Sequence, residues 1–154
     1  MSVIDERLAE LGIQIPDAPA PAANYVPYVI CGKTLYVSGQ IAMADGKMVY
    51  TGKVGETVDA DTAKQAARLC AINLIAQAKA ACGGHLERIV RLVKLGGFVA
   101  CTPDFTGHPG VINGASDLMV EVFGDRGKHA RFAVGAPSLP LDTTVEIEAI
   151  FELA

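Results

Sequence analysis

Two groups near the C-terminus have the types and spacing to do chemistry together. Arg131 lies at the start of the apolar run "ARFAVGA", and Glu146 and Glu148 stand in "TVEIEAI", fifteen positions further on. A guanidinium is permanently charged and presents a planar fork that grips a carboxylate through two parallel hydrogen bonds. Glu146 and Glu148 are two apart, so on a strand both point to one face while Val145, Ile147 and Ala149 point to the other. By position alone, a surface ion pair is the commoner role for such an arginine and an anion clamp the rarer one. A solvated polar face is likewise the commoner role for the two glutamates. The connection "GAPSLPLDT" shifts that balance, because it holds Pro137, Pro140 and Asp142 and is long enough to turn the chain back. The two strands are then expected to be neighbours, with Arg131 and Glu146 on one side of a sheet. A clamp for an acid would there stand beside a carboxylate able to position water.

The remaining reactive residues are dispersed. His85, His108 and His129 show no HxH or HxxxH spacing, so no metal site is expected. His129 lies two residues before Arg131 and can share its strand face, in a capping or surface role. Cys31, Cys70, Cys82 and Cys101 form no CxxC pair and read as reduced, buried thiols without a catalytic part. No GxSxG, Walker or GxGxxG motif is present, and no cofactor is expected.

These groups need a scaffold, and the composition suits one. The chain has 154 residues, 51% hydrophobic and 19% charged, enough for one domain with a substantial core. Its mean hydropathy of +0.32 suggests apolar surface covered by other copies. The formal net charge of −4 and pI near 5.3 provide no basic stripe for a nucleic-acid backbone, so nucleic acid is not an expected partner. No apolar run approaches the ~20 residues of a membrane span. The opening "MSVIDERLAELG" is charged and amphipathic with no signal-peptide core, which leads us to expect a cytoplasmic protein.

Along the chain, Ser2 and Asp5 form a capping box for a short helix ending at Gly12, followed by an extended arm through "IPDAPAPAAN". Residues 1–23 are thus a helix and arm of a single domain covering 1–154. "YVPYVICG" and "TLYVSGQIAM" read as strands joined at Gly32-Lys33, and Asp45-Gly46 marks a further hairpin. "VDADTAKQAARLCAINLIAQAKAACGG" is a long Ala-rich helix ending at Gly83-Gly84. "LERIVRLVKLGGFVAC" is a strand whose Gly96-Gly97 pair implies a bulge or a close approach. "TPDFTGHPG" reads as a loop and "VINGASDLMVEVFG" as a second helix, before the two C-terminal strands. The order implies an α+β domain with a single antiparallel or mixed sheet and both helices on one face.

The run "HARFAVGAPSLPLDTTVEIEAI" resembles the C-terminal signature of the RidA family, also called the YjgF family. "YVSGQIAM" is similar to its S-G-Q strand and "VPYV" to its G-P-Y segment, so the resemblance covers roughly residues 24–153. It implies a chorismate-mutase-like fold assembled as a homotrimer with clefts between subunits. Family members typically are enamine/imine deaminases, which hydrolyse 2-imino acids and enamines such as 2-aminoacrylate to 2-ketoacids and ammonia. The family's carboxylate clamp falls on Arg131 and its water-positioning carboxylate on Glu146. The family's substrate-binding positions fall on Tyr28, on the backbone of Ser38 and Gly39, and on Ala133, where many members have cysteine. Its pocket asparagine is placed at Asn113, in a loop longer than usual, which marks a divergent branch. A carboxylate-binding regulatory or chaperone protein without turnover would use the same clamp, and an endoribonuclease is a third, less favoured reading.

Overall fold

The computed structural model describes residues 1–154. Helix α1 (Val3–Glu10) starts in the expected capping box: Ser2 Oγ accepts from the Asp5 amide at 3.2 Å, and the Asp5 carboxylate accepts from the Ser2 amide at 3.0 Å. Strands β1 (Tyr28–Cys31) and β2 (Thr34–Ile41) form a hairpin across Gly32-Lys33. The small hairpin of β3 (Met43–Ala44) and β4 (Lys47–Met48) turns at Asp45 and Gly46. Both turn residues have positive φ, which is what a tight hairpin needs.

Helix α2 (Ala60–Ala81) is capped by the Asp59 side chain on the Thr62 amide, at 2.7 Å. Helix α3 (His108–Phe123) packs beside it. That contact is close because α2 presents Ala63, Ala66 and Ala67, all fully buried. On the α3 side, a Cβ at Gly114 would collide with the Lys64 carbonyl. The α3 helix starts three residues earlier than the sequence suggests. "HPG" forms its first turn, where Pro109 costs no hydrogen bond.

Strands β5 (Ile89–Ala100), β6 (Ala130–Ala136) and β7 (Val145–Leu153) complete a five-stranded sheet in the order β1-β2-β7-β5-β6. Every pairing is antiparallel except β5 with β6, which α3 connects as a crossover. The Gly96-Gly97 pair does not bulge. The register shifts lie earlier in β5, around Ile89–Arg91 and Leu92–Lys94. The glycines serve close approach instead. A Cβ on Gly96 would lie 2.7 Å from the Phe132 ring, and one on Gly97 would lie 2.7 Å from Ile112 of α3.

Both long helices cover one sheet face and share a continuous core with it, as the α+β pattern implies. The other face is open. It carries Val29, Tyr36, Phe98 and Val134, each at least a third exposed, among the β7 glutamates. No helix is long and apolar enough to cross a membrane.

The expected neighbouring of the two C-terminal strands is overturned. Strand β5 lies between β6 and β7. Arg131 pairs with Leu95, which pairs with Ala149, and Leu95 and Ala149 are buried on the helix side. Glu146 pairs with Phe98, which pairs with Val134, on the open side. The two charged residues therefore belong to opposite faces of the sheet. Their backbones are about 10 Å apart across two strand spacings and about 10 Å apart along the strands.

Candidate active site in two halves

The first half is a cavity of about 510 Å³ around Glu146, Ser38 and Gly39, with the arm Pro19–Ala23 as one wall. β7 alternates buried and polar positions, which carries Glu146 out of the core. Its carboxylate lies directly over Gly39: a Cβ there would stand 2.5 Å from Glu146 Oε1. Between Val37 and Gln40 the β2–β7 register shifts, so the S-G step leaves the regular ladder where the carboxylate crosses it. Ser38 Oγ donates to the Val26 carbonyl at 2.9 Å, tying the arm's end to the strand. Burial is the larger cause raising the Glu146 pKa above its ordinary 4.5, and the charge of Glu148 adds to it. The site thus holds a carboxylate that keeps its proton to higher pH than a solvated glutamate does.

Because the Gly39 Cβ position is occupied by that carboxylate, Gly39→Ala should push Glu146 aside. We expect turnover to fall about tenfold with the fold retained, a factor equivalent to about 1.4 kcal/mol. Unchanged kinetics in the alanine variant would show that Glu146 does not need this seat.

The second half gathers around Arg131 at the outer edge of β6, beneath α3. Arg131 Nη1 donates to Ser116 Oγ at 3.0 Å, and Nη2 donates to the Pro109 carbonyl at 3.2 Å. Ser116 Oγ is 2.8 Å from His129 Nε2, and His129 Nδ1 is 2.6 Å from the Gly127 carbonyl. That carbonyl only accepts, so His129 carries its proton on Nδ1 and its Nε2 accepts from the serine hydroxyl. The polarity then runs consistently from Arg131 through Ser116 to His129. Burial is the main cause lowering the His129 pKa below 6.5, and the Arg131 charge adds to it, while the bond to Gly127 opposes both. Two of the five guanidinium N–H groups are thus committed and the rest remain for a ligand. Asn113, one turn before Ser116 on α3, lines the same shallow cavity of about 300 Å³.

The family resemblance assigns Ser38, Gly39, Ala133, Asn113 and Tyr28 to one site with Arg131 and Glu146, whereas in the structure Asn113 lies with Arg131, and Ser38 and Gly39 lie with Glu146 in a separate cavity. Ala133 lies two residues beyond Arg131 on the same face, partly buried against the core beside Gly97. Tyr28 belongs to neither half. It pairs with Val37 on the helix side and packs against the core, and Tyr25 lines the Glu146 cavity instead. Strand alternation, which begins at Tyr28, turns that ring inward, while Tyr25 precedes the strand and is free of the alternation.

Ser116 holds Arg131 directly and His129 holds Ser116, a chain that sequence reasoning misses. The signals available were the i, i+3 spacing of Asn113 and Ser116 on one helix face and the i, i+2 spacing of His129 and Arg131 on one strand face. Ser116→Ala removes a hydrogen bond of about 0.5–1.5 kcal/mol. Carboxylate binding should weaken about two- to tenfold, and equal affinity in calorimetry would remove Ser116 from the clamp. A further cavity of about 510 Å³ holds Cys101, whose Sγ is 3.4 Å from His108 Nε2. Burial raises the Cys101 pKa, which favours the protonated thiol, and the Cys101–His108 pair is a hydrogen bond at the first residue of α3.

The family description "YjgF/chorismate mutase-like, putative endoribonuclease" matches residues 5–153. The chain belongs to this family. Protein TCP17 of Trypanosoma cruzi is 46% identical over 148 residues, covering 96% of this chain and 92% of that protein. Among solved structures, Atu1372 of Agrobacterium tumefaciens, of unknown function, is 53% identical with a TM-score of 0.93 over 99% of this chain and 93% of that one. A putative endoribonuclease of Shewanella oneidensis is 36% identical with a TM-score of 0.94, covering 99% of this chain and all of that one (100%). The family match spans residues 5–153, and the Agrobacterium and Shewanella structures each cover 99% of this chain. The fold's sheet is what separates the two halves of the site.

Proposed function

We propose that this protein is a cytoplasmic enamine/imine deaminase that hydrolyses 2-imino acids to 2-ketoacids and ammonia in clefts between the subunits of a homotrimer. What supports this reading is that the chain carries both a half-buried carboxylate with a raised pKa, in one cavity, and a guanidinium already oriented by its neighbours, in another. Neither half suffices alone, and within one chain the sheet keeps them apart. A second copy covering the open face would bring its own Arg131 edge to this chain's Glu146 cavity. The exposed apolar row of Val29, Tyr36, Phe98 and Val134 supplies a surface for that contact.

In such a cleft Arg131 holds the substrate carboxylate, and the adjacent C=N carbon faces Glu146. An iminium carbon is already electrophilic, so orientation matters more than nucleophile strength. Glu146 takes a proton from water as its oxygen adds to that carbon. That proton then passes to the carbinolamine nitrogen, and the C–N bond breaks to expel ammonia as the regenerated Glu146 carboxylate takes the hydroxyl proton, leaving the 2-ketoacid. For an enamine substrate, the same carboxyl in its protonated form first delivers a proton to the β-carbon, giving the iminium and the ionised carboxylate that the hydrolysis uses. A group with a raised pKa suits both steps.

The test is a coupled assay in which an oxidase generates imino acids from a panel of amino acids. Ketoacid release should accelerate when the protein is added. Binding of small carboxylates with no acceleration would leave a carboxylate-binding protein without turnover. The endoribonuclease reading has the family description behind it. It fits an acidic chain of net charge −4 less well, and salt-dependent RNA binding would revive it. Light scattering should return three times the 16.1 kDa chain mass, whereas a stable monomer would leave the site in halves and count against the composite cleft.

A further inference from the structure

Arg131 takes its orientation from α3, and its two contacts there are unequal. Ser116 lies in the middle of the helix, while Pro109 belongs to the first turn. The amides of a first turn have no partners within the helix, so the turn frays unless something outside holds it. Side-chain capping does not hold this one. The N-cap Gly107 makes no side-chain cap bond, and Pro109 has no N–H. Pro109 and Gly110 are exposed, so of the first three helical residues only His108 is partly buried.

The His108 ring is fixed from three sides. Its Nε2 lies 3.4 Å from Cys101 Sγ, a hydrogen bond to sulfur. Cys101 is one of three cysteines buried as expected, Cys31 alone being exposed. The Phe105 ring meets the imidazole edge to face, with centroids 5.3 Å apart and planes at 74°. The third side is Gly135 of β6, where a Cβ would stand 2.6 Å from His108 Nε2 and 2.7 Å from Cys101 Sγ. The φ of Gly135 is not positive, so glycine is needed there for the space and not for the backbone.

This seat and the clamp share one face of β6. Arg131, Ala133 and Gly135 alternate onto the helix side, opposite Leu95, Gly97 and Val99 of β5. On α3, His108, Ile112 and Ser116 are spaced four apart and share a face. His108 meets Gly135, Ile112 meets Gly97, and Ser116 meets Arg131. The helix is thus laid along β6, and His108 supplies the contact at the end that carries the Pro109 carbonyl. The Arg131–Pro109 bond is already 3.2 Å long. Lifting the first turn by about 1 Å would break it.

We propose that His108 is a positioning residue for the carboxylate clamp. Seated on Gly135 beside Cys101, it holds the Pro109 carbonyl where the Arg131 guanidinium needs it. This role rests on Arg131 binding the substrate carboxylate as in the proposed reaction, and it requires no contact between His108 and the substrate.

A double-mutant cycle separates positioning from a general loosening of α3. Pyruvate binding to the full chain is measured by NMR titration for the wild type, His108→Ala, Arg131→Lys and the double variant. His108→Ala should weaken pyruvate about fivefold, the effect of losing one ordinary hydrogen bond. In the Arg131→Lys background there is no fork to orient, and the same substitution should cost less than about twofold. Gly135→Ala crowds the ring from the strand side and should reproduce the loss with α3 unaltered, which keeps the test decisive if His108→Ala does not fold. The Arg131 Nε–Hε resonance should shift or broaden in both single variants. Equal losses in the two backgrounds would make His108 a general support for α3, and undiminished binding in His108→Ala would show that Pro109 is held without it. Either result overturns the proposal. Unweakened binding in Arg131→Lys would remove the clamp and this role with it. A protein that passes the cycle yet is inert in the imino-acid assay would sink the deaminase reading and leave His108 in its role.

Discussion

Glu146→Gln is expected to lower imino-acid turnover by about 10²–10⁴-fold, the range that a positioned general base contributes, while 2-ketoacid binding persists. Glutamine matches the shape over Gly39 but cannot accept the proton from water. The pH profile should identify the group independently. The wild-type rate requires ionised Glu146, whose pKa is raised by burial and then by Glu148, so the acid limb should fall above the ordinary 4.5. Glu148→Gln should shift that limb downward, and Glu146→Gln should abolish it. Stability runs the other way. A folded pKa above the unfolded value means that the folded state binds more protons between the two, so this contribution is full below the ordinary 4.5 and lost as pH rises through the raised value. The glutamine variant, free of that loss, should melt slightly higher than wild type at neutral pH. Undiminished turnover in Glu146→Gln would take this carboxylate out of the chemistry.

Arg131→Lys should weaken binding of small carboxylates by roughly one to two orders of magnitude. It keeps the charge but loses the fork, and a hydrogen bond to a charged group is worth about 1.5–3 kcal/mol, with about 1.4 kcal/mol per factor of ten. The structure adds a reason. Arg131 reaches both Ser116 Oγ and the Pro109 carbonyl and still has donors to spare, whereas a single ammonium cannot serve these anchors and grip a carboxylate with the same geometry. Calorimetry with a 2-ketoacid measures the effect, and kcat/KM in the coupled assay should fall with it. If the lysine variant binds as tightly as wild type, Arg131 is only an edge residue held by α3.

Local chemistry is what the sequence declared on its own. The Ser2–Asp5 box, the Asp45-Gly46 turn and the alternation of β7 each depend on residues within a few positions of one another, and all three stand as expected. The Gly96-Gly97 pair was legible as a close approach but not as to what approaches, because Phe132 and Ile112 come from later elements. The C-terminal signature carried Arg131 and Glu146 into view as residue types. Their mutual placement was decided only by the tertiary structure, because β5 enters between their strands through pairings 36 to 64 positions apart in the chain. Alternation says which neighbours share a face within one strand, but the face of one strand relative to another depends on register, and register is set by pairing across the sheet. For the same reason Tyr28 turned inward, and Ser116 and His129 emerged as the anchors of Arg131 only once α3 lay over β6.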